Sequence, residues 1–551
     1  MKRIPWMCVI GILLVSIIPL LSSCSTAGNK SAVKFQMFDC AGLQGLTIPA
    51  SSIGLPSSGA IVQTATPIAA GAKDNINGDY CKVIGIIKPK DPASPNMEFE
   101  VNLPANWNKR ALQFGGGGYD GNLVDALSGE PLAPANAETP LKRGYVTLGG
   151  DGGHKSSWAF DGRWAMNDEA LLNYGKQSVK KVHDVAVAII RKAYGRAPDR
   201  FYFAGGSQGG HEALDAAARY PEDYDGVISH FPAYNVTMLH LGSLNVGKAM
   251  YANNGAGWIN PAKTKLITDA VYAACDKLDG AQDGIISNVK GCNAAFDINK
   301  LRCPGGTDKG NNCLSEAQIA AARKVASDYR PGFMIAGSDS FPKWAIFEGS
   351  LFQTSTFGAA PKPGASTQDA SSALGNGLLY SVGEQTARFI ITRNSNQEAL
   401  RFDEKQWKDR IMTVGSIMDV TDVSLEKFRA RGGKLILTHG TTDDFITPHN
   451  SIAYYERQVK QFTKPAVDSF IRFYMIPGAG HGLGPFNAEF ETLPSLENWV
   501  EKGQAPGRII ATDGNKGANR SRPLCEWPAW PKFTGAPGTE NDAASYTCVA
   551  E

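Results

Sequence analysis

Four short apolar runs along the chain each end in a turn, three of them at a glycine. Arg110–Phe114, Asp199–Ala204, Lys434–His439 and Ser469–Ile476 are rich in leucine, isoleucine and aromatic residues. Their length and content predict buried strands. The second run passes through Gly205-Gly206-Ser207-Gln208-Gly209-Gly210 into His211–Tyr220, a stretch of helix formers stopped by Pro221. One longer apolar block, Met7–Leu21, follows Lys2 and Arg3. It is too short and too sharply ended for a stable spanning helix and reads as the core of an export signal. No other stretch is long and apolar enough to cross a bilayer.

Strand, Gly-x-Ser-x-Gly and helix in succession are the setting of a nucleophile elbow. Small flanking residues let strand and helix approach closely while Ser207 holds a strained backbone that projects its Oγ. The N-terminus of the helix also presents backbone N–H groups where an oxyanion would form. A serine hydroxyl at its ordinary pKa is a poor nucleophile and needs a base, which a carboxylate must orient. Asp443, in Gly440-Thr-Thr-Asp443 after the third run, and His481, in Pro477-Gly-Ala-Gly-His481 after the fourth, supply these groups in the order Ser, Asp, His. The chain has eight histidines. His439 ends a strand, His449 lies close after Asp443, and His211 is too near Ser207 in sequence to be its usual partner. Gly115-Gly116-Gly117-Gly118 follows the first run, and such a glycine run can turn a second N–H inward. The expected oxyanion donors are Gly118 and Gln208. No Walker lysine follows the run and its spacing does not fit a dinucleotide fingerprint, so no nucleotide or redox cofactor is implied.

The chain has 551 residues, enough for three to four average domains, with 43% hydrophobic and 20% charged residues. Lys plus Arg number 55 and Asp plus Glu 53, so a basic surplus for nucleic acid is missing. Glycines number 60, above the usual share of about 7% but with no collagen-like period. The leader closes with Leu21-Ser22-Ser23-Cys24, which resembles a bacterial lipobox; Cys24 would then carry the lipid, whereas after a plain secretory signal cut nearby it would be an ordinary thiol. Ser25 rather than aspartate follows, which by that resemblance favours the outer membrane. Setting aside Cys8 and Cys24, eight cysteines remain: Cys40, Cys81, Cys275, Cys292, Cys303, Cys313, Cys525 and Cys548. An even number in an exported chain favours four disulfides, although spacing alone does not pair them. Within Cys275–Ile285, three aspartates among glycines suit a hard cation that takes oxygen ligands, but not at EF-hand spacing.

Taken together, several motifs make the chain resemble the tannase/feruloyl esterase family, whose relatives include mono(2-hydroxyethyl) terephthalate hydrolase. They are Gly115–Gly121, Asp151-Gly-Gly-His154, Gly205–Gly210 with Tyr220–Gly226, His439-Gly440 to Asp443, Tyr454–Arg457 and Pro477–Gly482. The resemblance implies an α/β fold: an α/β-hydrolase core with a large inserted lid. On that reading residues 1–23 are signal, 24–233 and 423–551 the two parts of the core, and 234–422 the lid. It implies structural calcium held in the lid by Asp276, Asp279 and Asp283 and by the carbonyls of Ala281 and Ile285. It also implies the pairs Cys40–Cys81, Cys275–Cys292, Cys303–Cys313 and Cys525–Cys548. Most members bridge the two catalytic loops with cysteines; here those positions are Gly206 and Gly482, so packing must hold His481 against Ser207.

The resemblance further implies a serine carboxylester hydrolase acting on small esters of aromatic acids, feruloyl or galloyl in type, with no organic cofactor and no nucleic-acid partner. Any membrane contact would run through the lipid anchor alone. Trp258, Trp344, Phe357 and Tyr380 of the lid could stack on an aromatic acyl group or form the lid core. One alternative is a terephthalate monoester hydrolase, in which a lid arginine, Arg388 or Arg393, would hold a free carboxylate. A second is an inactive surface-binding lipoprotein on a hydrolase shell.

Overall fold

A computed structural model describes residues 38–550 apart from 353, 365, 366, 368 and 422, and omits the side chains of 354 and 355. The expected export signal over residues 1–23, with Cys24, therefore lies outside the described residues. Thirteen strands form one mixed sheet: β1 (Thr47–Ile48), β2 (Ala60–Ile68), β3 (Tyr80–Ile87), β4 (Met97–Pro104), β5 (Arg110–Phe114), β6 (Val146–Gly150), β7 (Arg200–Gly206), β8 (Gly226–His230), β9 (Lys434–Gly440), β10 (Ile471–Ile476), β11 (Ala488–Glu489), β12 (Ile509–Asp513) and β13 (Ser521–Glu526). The spatial order is β1-β2-β3-β4-β6-β5-β7-β8-β9-β10-β13-β12-β11. From β6 to β10 all neighbours are parallel, and the strands on both outer sides join antiparallel.

The four runs read from sequence are β5, β7, β9 and β10, side by side with β8 among them. Their continuous apolar character has a physical cause, since a central parallel strand is covered on both faces. On one face Tyr202, Ala204, Ile228, Ile436 and Tyr474 pack against Leu493, Leu496 and Trp499 of helix Leu493–Lys502. Helices Ser178–Tyr194 and Gln208–Arg219 pack against β6, β7 and β8. Several boundaries differ from the sequence reading by one to three residues, and two of them shape the serine turn. β7 continues through Gly206, because Gly205 and Gly206 still pair with Ser229 and His230 of β8. The helix then begins at Gln208, three residues earlier than His211, so the serine alone makes the turn.

Between β8 and β9 the described residues contain no strand of the sheet. Helices Val236–Gly255, Pro261–Cys275, Glu316–Val325, Leu378–Gln385 and Lys408–Met418 enclose an apolar core that also takes in Tyr119, Tyr174 and Phe445 from outside the insert. This insert and the sheet pack into one compact unit. The insert also grips the segment after β9: Trp344 Nε1 donates to the Phe445 carbonyl at 3.2 Å, and Ser350 Oγ to the Thr442 carbonyl at 3.2 Å.

Disulfides join Cys40–Cys81, Cys275–Cys292, Cys303–Cys313 and Cys525–Cys548. Four such bridges belong to an oxidising compartment and so to an exported chain. No helix among the described residues is long and apolar enough to cross a membrane.

Candidate active site

The parallel strands deliver three loops to one end of the sheet. Ser207 leaves β7 with φ 60° and ψ −120°, a strained conformation for a residue with a side chain. Its N–H donates to the His230 carbonyl at 3.0 Å, and its own carbonyl accepts from Ala233 at 3.2 Å, so the elbow is braced by the turn after β8. Asp443 and His481 come from the loops after β9 and β10. Ser207 Oγ lies 3.0 Å from His481 Nε2, and His481 Nδ1 lies 2.8 Å from Asp443 Oδ2. With the ring proton on Nδ1, the imidazole donates to the carboxylate and leaves Nε2 to accept the serine hydroxyl.

Asp443 is fully buried and completely engaged. Its Oδ1 accepts the N–H groups of Phe445 at 3.0 Å and Ile446 at 2.9 Å. His439 Nε2 stands 3.3 Å from Oδ2 and 2.9 Å from the Ile446 carbonyl. Burial alone would raise the Asp443 pKa, but the two imidazoles and these hydrogen bonds hold it well below the ordinary carboxylate range. His481 shows the reverse balance: burial disfavours its cation, yet the Asp443 carboxylate outweighs this and raises the pKa. His439 is thus a second support for Asp443. Sequence placed it only at a strand end, and its i, i+4 spacing to Asp443 was the available signal.

Gly118 and Gln208 lie on either side of the elbow. Neither N–H donates to another described residue. Gly118 has φ +62°, and a Cβ there would lie 2.5 Å from the Ala159 carbonyl oxygen, so glycine alone fits. Buried Tyr174 ties the two positions, its hydroxyl 3.1 Å from Gln208 Oε1 and 3.4 Å from the Gly118 carbonyl. Burial raises the Tyr174 pKa, so this hydroxyl keeps its proton. Beneath the glycine run, Glu212 accepts the Gly116 N–H at 2.8 Å, and burial pushes its carboxyl up to about 7. Sequence reading passed over both Tyr174 and Glu212, because neither lies in a motif with chemistry of its own.

Aromatic rings border the imidazole. Phe231 stands 5.0 Å from the His481 ring at 67°, and Phe445 5.4 Å at 71°, both edge-to-face. Phe160 lies 5.4 Å beyond Phe445. The four lid aromatics of the sequence reading sit elsewhere: Trp258, Trp344, Phe357 and Tyr380 are all at most 5% exposed within the core of the insert. They pack the insert instead of offering a stacking face. Arg388 is held by Glu384 and the Ser395 carbonyl, and Arg393 pairs with Asp168, so both arginines are engaged.

The acidic loop of the insert folds around its own backbone. Asp276 Oδ1 accepts the Gly284 N–H, Asp279 accepts Ala281 and Ser287, and Asp283 Oδ1 accepts Ile285. Asp283 Oδ2 meets buried Arg522 and the Tyr546 hydroxyl. Burial pushes Asp279 up to about 6 and raises Asp276, with Asp283 adding repulsion to both. Ala281 and Ile285 are buried, and neither carbonyl accepts a hydrogen bond from a described residue. Oxygen donors of these kinds suit a hard cation, although among the described residues the carboxylates of Asp276, Asp279 and Asp283 do not converge on one point. Arg522 already offsets part of the charge. His183, Asp184 and Asp223 do bring ligand atoms together, but Lys180 pairs with both carboxylates, at 2.7 and 2.9 Å.

A parallel-centred sheet with a serine elbow after one strand, and an acid and a histidine after two later ones, defines an α/β-hydrolase. A family model, tannase and feruloyl esterase, matches residues 81–549. The chain is 36% identical over 520 residues, covering 93% of both chains, to an uncharacterized esterase of Agrobacterium fabrum. It is 29% identical over 526 residues to mono(2-hydroxyethyl) terephthalate hydrolase of Piscinibacter sakaiensis, covering 86% of this chain and 85% of that one. Among solved structures, feruloyl esterase B from Aspergillus oryzae superposes with TM-score 0.74 at 21% identity, covering 93% of this chain and 100% of that chain. The chain therefore belongs to the tannase and feruloyl esterase family of carboxylic ester hydrolases.

Proposed function

We propose that this esterase cleaves esters of aromatic acids, feruloyl or galloyl in type, through an acyl-enzyme on Ser207. The observation that carries the reading is the unbroken hydrogen-bonded chain Ser207 Oγ, His481 Nε2, His481 Nδ1, Asp443 Oδ2, with spacings of 3.0 and 2.8 Å at its two contacts. His481 takes the serine proton as Oγ attacks the ester carbonyl, and Asp443 stabilises the imidazolium that forms. The N–H groups of Gly118 and Gln208 receive the oxyanion. His481 then protonates the leaving alcohol, and water activated by the same base releases the acid.

The aromatic preference draws support from the family and from Phe160, Phe231 and Phe445 clustered beside His481. The relative that hydrolyses a terephthalate monoester keeps that substrate in view, but Arg388 is paired with Glu384 and Arg393 with Asp168. A hydrogen-bonded nucleophile, base and acid also weigh against an inactive surface-binding shell. In the insert, Asp276, Asp279, Asp283 and the carbonyls of Ala281 and Ile285 would hold calcium, which fixes the loop and takes no part in the chemistry. An outer-membrane lipid anchor at Cys24 belongs to the same proposal.

Ser207→Ala decides the matter. It should abolish both fluorophosphonate labelling and hydrolysis of methyl ferulate and methyl gallate; turnover retained in the variant would refute the acyl-enzyme. A terephthalate monoester assayed alongside should react more slowly, and a preference for it would reassign the substrate.

A further inference from the structure

The residue after β8 has a conformation that its chemistry does not favour. Phe231 adopts φ +36°, in the left-handed region that bulky side chains avoid. Such a backbone persists only where its surroundings over-determine it, and an observed outlier of this kind points to function. Here the surroundings are two strands of the site. The Phe231 N–H donates to the Thr438 carbonyl at 2.7 Å, extending the β8–β9 ladder by one bond. Two residues on, the Ala233 N–H reaches the Ser207 carbonyl at 3.2 Å.

The strained turn aims the Phe231 ring into the gap between the nucleophile strand and the base. A Cβ built on Gly206 would lie 2.8 and 2.9 Å from ring atoms Cζ and Cε2, so the ring rests directly on the residue preceding Ser207. Its opposite contacts are imidazoles: His481 at 5.0 Å and 67°, and His439 at 6.4 Å and 71°. Both imidazoles touch Asp443. Phe445 closes on His481 as a second ring at 5.4 Å. Elsewhere the loop is open: a Cβ on Gly482, next to His481, would meet nothing within 4 Å.

We propose that Phe231 is a positioning residue, a wedge seated on Gly206 that sets the lateral position of the His481 ring against Ser207 Oγ. This inference rests on the acyl-enzyme reading above. The ring holds the imidazole by edge-to-face contact, beside the hydrogen bonds that Ser207 Oγ and Asp443 Oδ2 make to it. A displacement of about 1 Å at such a base is enough to lose about a hundredfold in rate.

The test compares the full chain with Phe231→Ala, Phe231→Leu, Gly206→Ala and Gly206→Ala/Phe231→Leu, using p-nitrophenyl acetate turnover and the rate of fluorophosphonate labelling. Phe231→Ala should lower kcat and the labelling rate at least about tenfold with KM within about twofold, and Phe231→Leu should recover most of the loss. Gly206→Ala should also lower kcat, because its methyl drives the ring into the imidazole. Shortening the ring in the double variant should then raise kcat above that of Gly206→Ala alone, a coupling that two independent structural defects would not produce. Should Phe231→Ala fail to fold, the Gly206→Ala pair decides alone. An unchanged kcat, a rise in KM alone, or additive losses in the double variant would overturn the wedge. Absence of labelling in the unmodified chain would instead overturn the acyl-enzyme reading itself.

Discussion

At Asp443 two imidazoles meet one carboxylate, and on the proposed mechanism the balance there sets the working pH. Protonated His481 cannot accept the serine proton, so kcat/KM must fall at low pH as the ring is charged. Because Asp443 raises the His481 pKa against the effect of burial, the acid limb should have its midpoint above 6.5. Asp443 itself stays ionised throughout and adds no second limb. A measured midpoint near 5 would contradict this electrostatic picture. Gly118 offers a second check. Gly118→Ala forces a Cβ to within 2.5 Å of the Ala159 carbonyl at φ +62°, so the loop must shift. Losing one oxyanion donor typically costs about a hundredfold or more in kcat, and that loss, with KM nearly constant, is expected here. Ser207, Asp443 and His481 were readable as residues because each closes a strand-and-turn pattern. Tyr174, Glu212 and Phe231 were not, because they act through neighbours remote in sequence: Tyr174 bridges the Gly118 and Gln208 loops, and Phe231 fills space above Gly206.

β5, β7, β9 and β10 were legible as strands because burial on both faces leaves them apolar at nearly every position. Their boundaries moved by one to three residues where ladder pairing carried β7 on to Gly206 and the elbow began its helix at Gln208. The insert was legible as a length of chain and not as an arrangement. Its aromatic residues are compatible with a binding wall or a core, and only packing separates the two. Trp344 is the clearest case, 1% exposed and hydrogen-bonded to the Phe445 carbonyl. Trp344→Ala should cost about 3–5 kcal/mol in urea unfolding through lost packing and the cavity left behind. Trp344→Phe should lose much less, keeping a ring while giving up the bond to the loop of Asp443. Equal stability of the alanine variant and the native protein would remove Trp344 from the insert core.

Insert, sheet and C-terminal segment share one compact unit, and the acidic loop is one of its joints: Asp283 reaches Arg522 on β13 and Tyr546 beyond it. A cation bound only by the folded loop adds its binding free energy to stability. Dialysis against a chelator should therefore lower the melting temperature on the order of 5 °C, and calcium should restore it. Protons compete for the same oxygens, so the calcium effect should weaken below about pH 6, where buried Asp279 takes up a proton. Asp279→Asn should melt alike with and without calcium. A chelator-insensitive melt of the native protein would remove the ion from the account.

Read as a string of residues, this chain already specified a nucleophile elbow, an acid and a base in order, and the strands that carry them, because each depends on local periodicity and turn chemistry. Folding added what depends on distance in space: the 3.0 and 2.8 Å contacts among Ser207, His481 and Asp443, the hydroxyl of Tyr174 across the two proposed oxyanion donors, and the ring of Phe231 against His481. Side-chain contacts between segments far apart in the chain leave no periodic trace in either segment. Local pattern therefore fixes the chemistry on offer, and close packing fixes its alignment.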